Sequence, residues 1–70
     1  MSDRPSEPTS AGPELSSVAT ALGELTDRIG ELAERLAREA RDDLATALYE
    51  VERSVAAASR RLESMVDELR

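Results

Sequence analysis

The side chains that could carry out chemistry in this sequence are carboxylates and hydroxyls. Asp42 and Asp43 could bind a hard cation, and Ser16, Ser17 and Thr20 offer hydroxyls for a base to activate. The chain has no histidine and no cysteine, so the usual general base near neutral pH and the thiol nucleophile are both missing. Adjacent residues of a helix point to different sides, which disfavours a cation shared by the two aspartates.

Cofactor sites are excluded on the same grounds. Zinc, haem and iron–sulfur clusters lack their normal ligands. A pair of carboxylates working as acid and base needs a cleft that shifts their pKa values, and a chain of 70 residues barely forms one. We therefore predict a non-catalytic protein with no cofactor, no metal and no small-molecule substrate.

The charge balance bears on partners and location. Nine arginines against fifteen acidic residues give a formal charge of -6, which a phosphate backbone repels. The most basic cluster, Arg53, Arg60 and Arg61, is interleaved with glutamates. No stretch approaches the ~20 apolar residues of a membrane span, and the acidity disfavours a membrane-surface helix. We therefore expect a cytoplasmic protein that binds neither nucleic acid nor membranes, which the lack of cysteine also fits.

Two regions follow one another along the chain. Residues 1–13 contain all three prolines and almost nothing to bury, a composition typical of a disordered tail. Residues 14–70 contain no proline and are dominated by alanine, leucine, glutamate and arginine, which are strong helix formers. Gly12, Pro13 and Glu14 are typical of a helix start. The sequence therefore predicts an all-α protein, with a tail over 1–13 and an amphipathic helical segment over 14–70.

The large apolar residues of this segment recur with heptad spacing, alternating three and four apart. They form two runs, in the second of which Ala58 fills one position, and we predict them to be an interface. Its members are Leu15, Val18, Leu22, Leu25, Ile29, Leu32 and Leu36 in the first run, Leu44 between the runs, and Leu48, Val51, Val55, Leu62, Met65 and Leu69 in the second run.

The register changes between the runs, where Leu36, Ala40, Leu44 and Leu48 are spaced by four. One long helix accommodates this change, because the drift of the heptads and the steps of four cancel and leave one continuous face. An antiparallel hairpin turning near 39–43, with Asp42 or Asp43 as N-cap, is the alternative. Residues 31–53 lack the glycine, proline, asparagine and serine of ordinary turns, which favours the long helix, straight or gently bent.

Neither architecture buries its stripe alone, so other chains are expected to cover it as a coiled coil or helical bundle. Ala19, Thr26 and Ala33 follow the second position of each heptad and are small and uncharged. The apolar stripe is therefore wide, which favours a bundle of three or four helices or a hairpin dimer. We expect a self-associating helical interaction protein; the alternative is a small acidic accessory subunit that docks on a larger enzyme and folds on binding.

One family resemblance bears on that alternative. Ala21-Leu22-Gly23-Glu24-Leu25 followed by Leu48-Tyr49-Glu50 resembles, in the same order, two segments of the exonuclease VII small subunit. That family has a turn with glycine and often proline between its helices, whereas residues 38–43 of this chain contain neither. The resemblance implies a helical accessory subunit of a larger enzyme.

Overall fold

The computed structural model describes residues 9–69, and these form two helices packed as an antiparallel hairpin. Helix α1 spans Gly12–Arg38 and helix α2 spans Asp42–Glu68, joined by a turn of three residues. The described part is therefore all-α, as predicted, but the favoured long helix is wrong and the hairpin is correct. Neither described helix is long and apolar enough to cross a membrane.

Helix α1 begins two residues before the predicted boundary at Glu14. Ala11 is its N-cap residue, Pro13 lies in the first turn and Glu14 adds a negative charge there. Proline fits this position because the first N–H groups of a helix have no intrahelical acceptor, and the acid complements the helix dipole. The predicted disordered tail lies outside the described residues over 1–8.

The turn explains why the long helix fails. Ala40 has φ 63°, in the left-handed region. The Arg41 N–H donates to the Leu36 carbonyl at 2.9 Å and the Ala40 N–H donates to the Ala37 carbonyl at 3.1 Å. These two bonds are those of a Schellman motif, which satisfies the last carbonyls of α1 and reverses the chain. Glycine usually occupies the left-handed position of this motif, so an alanine there gives no turn signal in the sequence.

The N-cap of helix α2 lies one residue before the first predicted N-cap, Asp42, and two before the second, Asp43. Arg41 is the N-cap residue, with φ -98° and ψ 65°, and its side chain makes no capping hydrogen bond. Asp42 and Asp43 lie in the first turn instead, where their charges complement the positive end of the helix dipole. The exposed side chains of Arg41 and Asp43 approach to 3.6 Å between Nε and Oδ1.

The helices pack through small side chains. The buried residues of the described part are Ala19, Ala33, Ala45 and Ser59. Thr26 lies midway between Ala19 and Ala33, is half-buried, and donates its hydroxyl to the Leu22 carbonyl at 2.8 Å. We call these five residues the small-residue seam. The Cα trace measures 53 × 22 × 12 Å, so the hairpin is a single layer one helix deep.

Candidate protein-binding face

The fourteen residues of the predicted interface fall into two sets of seven in the hairpin. One set is half-buried beside the seam and consists of Leu15, Leu22, Ile29, Leu36, Leu48, Val55 and Leu62. The other set is exposed, with 44–49% of each side chain accessible, and consists of Val18, Leu25, Leu32, Leu44, Val51, Met65 and Leu69. The predicted residues therefore do not form the centre of the contact between α1 and α2.

The exposed set of both helices lies on one side of the hairpin. Around each helix the exposed set, the half-buried set and the seam follow one another at steps of about 40–60°. Because the helices are antiparallel and their seams face each other, this order is mirrored across the contact. The result is one continuous apolar surface over both helices, which we call the open face: the exposed set, the half-buried set and Ala58.

Size explains why the seam, rather than the large residues, lies between the helices. Ala33 is 0% exposed, which shows that the helices approach closely at this point. A methyl side chain keeps the backbones close, whereas leucines at the same positions would hold them further apart. From the sequence, Ala19, Thr26 and Ala33 were expected only to widen the apolar stripe, although their spacing of seven was the signal for this contact.

Two glycines of α1 also face α2. A Cβ atom built on Gly23 would lie 3.9 Å from Ser59 Oγ, and one built on Gly30 would lie 2.9 Å from Glu52 Oε2. The Glu52 carboxylate therefore occupies the space that a side chain at position 30 would need. These contacts fix which residues of the two helices are opposite each other.

Tyr49 lies away from the open face. It is two residues from Val51, hence about 160° from it around α2. It is 39% exposed and lines a cavity of about 470 Å³ with residues of α2 only: Thr46, Glu52, Arg53 and Ala56. This aromatic side chain therefore lies on a different side of α2 from the apolar stripe, although Tyr49 directly follows Leu48.

Charged residues border the open face. Arg28, Glu31 and Arg35 line a shallow cavity of about 200 Å³ together with Leu32 of the exposed set. Arg61 occupies the corresponding border of α2, one residue before Leu62, and is exposed. The border thus carries both signs of charge, which allows the face to meet a surface of the same composition.

Residues 9–69 contain no cluster of three or more histidine, cysteine, aspartate or glutamate residues arranged to hold a metal ion. No family model matches the chain, and no curated protein or solved structure shows significant similarity to it. The open face is therefore the feature of the described residues that bears on function.

Proposed function

We propose that this chain is a non-catalytic interaction protein that self-associates through the open face, forming a four-helix bundle from two hairpins. The observation that carries the proposal is the exposure of seven large apolar side chains on one side of a single-layer hairpin. A contiguous apolar surface with a charged border is typical of an interface rather than of a solvated surface. The lack of cysteine supports a cytoplasmic location.

The energetics favour covering this face. Full burial of a leucine, valine or methionine side chain contributes about 1.5–3 kcal/mol, and each member of the exposed set is still about half accessible. Each therefore has on the order of 1 kcal/mol to gain, and a symmetric dimer gains it on both copies. The helices of the hairpin already have the antiparallel arrangement of an up-down bundle.

A second copy is the preferred occupant because the border residues suit it. A face bordered by Arg28, Arg35 and Arg61 alone would select an acidic partner, but Glu31 borders it too. Glu24 lies about one turn before Arg28, and Glu50 directly precedes Val51 of the exposed set. Each copy therefore offers both positive and negative side chains to the other copy in a dimer. The accessory-subunit alternative uses the same face with a larger protein as occupant.

Sedimentation equilibrium with circular dichroism on the purified chain tests the proposal. We expect a helical dimer. Leu32→Asp should give a monomer whose helix content is retained, because the new carboxylate lies on the exposed set beside Arg28 and Arg35. Glu31→Ala is the matched control and should remain dimeric.

A second pair of variants separates assembly from folding. Ile29→Asp and Val55→Asp should abolish both the dimer and much of the helix signal, because these residues of the open face are already half-buried beside the seam. A wild-type chain that is a folded monomer at 100 μM would contradict self-association. A largely unfolded monomer would instead favour the accessory subunit that folds on its partner.

A further inference from the structure

We propose that the two hairpins of the dimer associate with their turns at the same end, so that α1 of each copy lies against α2 of the other. This orientation rests on the self-association proposed above and specifies its geometry. The competing orientation has the turns at opposite ends and brings α1 against α1 and α2 against α2. Both are antiparallel four-helix bundles, so residue levels along the hairpin must distinguish them.

The levels follow from the two glycine contacts. Gly23 is opposite Ser59 and Gly30 is opposite Glu52, so a step up α1 corresponds to an equal step down α2. The same-end dimer has its two-fold axis parallel to the helices, and this rotation keeps every residue at its own level. The register between copies is then fixed by the register within each hairpin, with no freedom to slide.

In this register the three exposed apolar residues of α1 meet residues of complementary size on the partner's α2, whereas Leu44 and Leu69 of the exposed set lie at the two ends of the face and have no such pair. Each residue of α1 meets a residue of the partner's α2 that lies within one position of its own level, and each leucine meets a smaller side chain. The pairs are Val18 with Met65, Leu25 with Ala58, and Leu32 with Val51. Large against small keeps the four helices evenly spaced.

The opposite-end orientation pairs like with like. Near the middle of the face Leu25 would meet its own copy, and Ala58 would meet its own copy. Two leucines would hold the α1 helices apart. At the same level two alanines would leave a gap between the α2 helices, and such a gap destabilises a helical bundle.

The border residues favour the same orientation. At matching levels Arg28 faces Ser54, Arg61 faces Ala21, and Arg35 faces Ala47, so each arginine meets a small, uncharged residue of the other copy. Glu50 lies between the levels of Arg28 and Arg35, and Glu24 lies three residues from the level of Arg61. Each arginine thus has a carboxylate on the other copy within about one helical turn, or ~6 Å along the axis.

The two orientations bring like charges together at different levels of the bundle. Same-end packing puts Glu14 and Glu68 at one level at the open end, where both are exposed to water and the repulsion is weak. With Leu25 at the two-fold axis, opposite-end packing leaves the two copies of Arg28 about 9 Å apart along the helices, near the middle of the border. Like charges held together beside an apolar contact disfavour that arrangement.

A single spin-labelled variant tests the orientation on the full chain. The natural sequence has no cysteine, and Glu39 is exposed in the turn and is not a member of the open face, so Glu39→Cys accepts a label without replacing any residue of that face. Pulsed electron–electron double resonance should give a distance of about 20–25 Å between turns at the same end, the diagonal of a bundle with helices ~10 Å apart plus two tethers. Turns at opposite ends would give about 40 Å or more, the length of a 27-residue helix.

Asp27→Cys is the matched control, because this exposed residue lies near the middle of α1. Its labels stay within about 30 Å in either orientation and so report the dimer itself. A short Glu39→Cys distance supports the proposal. A long one beside normal coupling in Asp27→Cys overturns the orientation and leaves self-association standing, whereas loss of dipolar coupling in both variants, with a monomeric mass, overturns both.

Discussion

The small-residue seam and the open face run side by side along the same two helices, and they place side-chain size in opposite ways. The seam buries alanine, serine and threonine between the helices, whereas the open face leaves leucine, valine and methionine about half exposed. A hairpin built only for its own stability would bury its largest side chains, because they release the most apolar area. The distribution therefore indicates that folding of the hairpin and coverage of its face are separate contacts.

A larger side chain in the small-residue seam should have the largest effect on the stability of the hairpin. Ala33→Leu should destabilise the hairpin by about 1–3 kcal/mol, because Ala33 is fully buried and the added atoms force the helices apart. Urea unfolding followed by circular dichroism measures this effect. Ala57→Leu, the same change at an exposed position of α2, is the control and should leave stability within about 0.5 kcal/mol. Equal effects at the two positions would contradict the seam.

Shrinking the open face should have the converse effect. Leu25→Ala should weaken dimerisation by about tenfold or more, equivalent to ~1.4 kcal/mol, and should leave the helix content of the hairpin largely intact. Sedimentation equilibrium over a concentration series gives the constant. The neighbouring Glu24→Ala should change it far less, and an unaltered constant for Leu25→Ala would remove Leu25 from the interface.

The turn can be stabilised by a substitution that changes neither the small-residue seam nor the open face. Ala40→Gly should raise the free energy of unfolding by about 1 kcal/mol, because glycine adopts φ 63° without the penalty of a Cβ atom. Thermal denaturation should show a higher midpoint. The same change at the helical, exposed Ala57 should instead lower the midpoint, since glycine is a poor helix former.

The smallest expected difference is between the two glycines that face α2. Gly23→Ala should stabilise α1 by up to about 1 kcal/mol, because the new Cβ meets Ser59 Oγ at an ordinary contact distance. Gly30→Ala should gain less, because the Glu52 carboxylate must move away from a contact of 2.9 Å. Adding Glu52→Ala to Gly30→Ala should restore the missing gain in stability, because the carboxylate that the new Cβ meets is then removed. Chemical denaturation of the three variants and the unaltered chain measures it, and equal gains for both glycines would contradict the close contact.

Much of the fold could be predicted from periodicity, and the missing parts have local physical causes. The heptad runs predicted the helices and an amphipathic stripe, since three- and four-residue spacing places side chains on one side of a helix. The hairpin turn near 39–43 was only the alternative to a long helix, because Ala40 is a strong helix former in sequence and a left-handed residue in the structure. The contact between the helices was missed because Leu22 and Ile29 carry a stronger hydrophobic signal than Ala19 and Ala33.

Ala40 has a consequence for how copies of this chain could exchange parts. The residue that strains the turn is also the residue type most favourable inside a helix, so straightening the chain there relieves a left-handed alanine and joins α1 to α2 through Leu36, Ala40 and Leu44. Two straightened chains could then pair each α1 with the α2 of the other molecule, using the same contacts as the hairpin. Short hinge loops under strain are those at which domain swapping occurs. An extended, swapped dimer is therefore the nearest competing form of this fold, and the side chain at position 40 sets the balance between them.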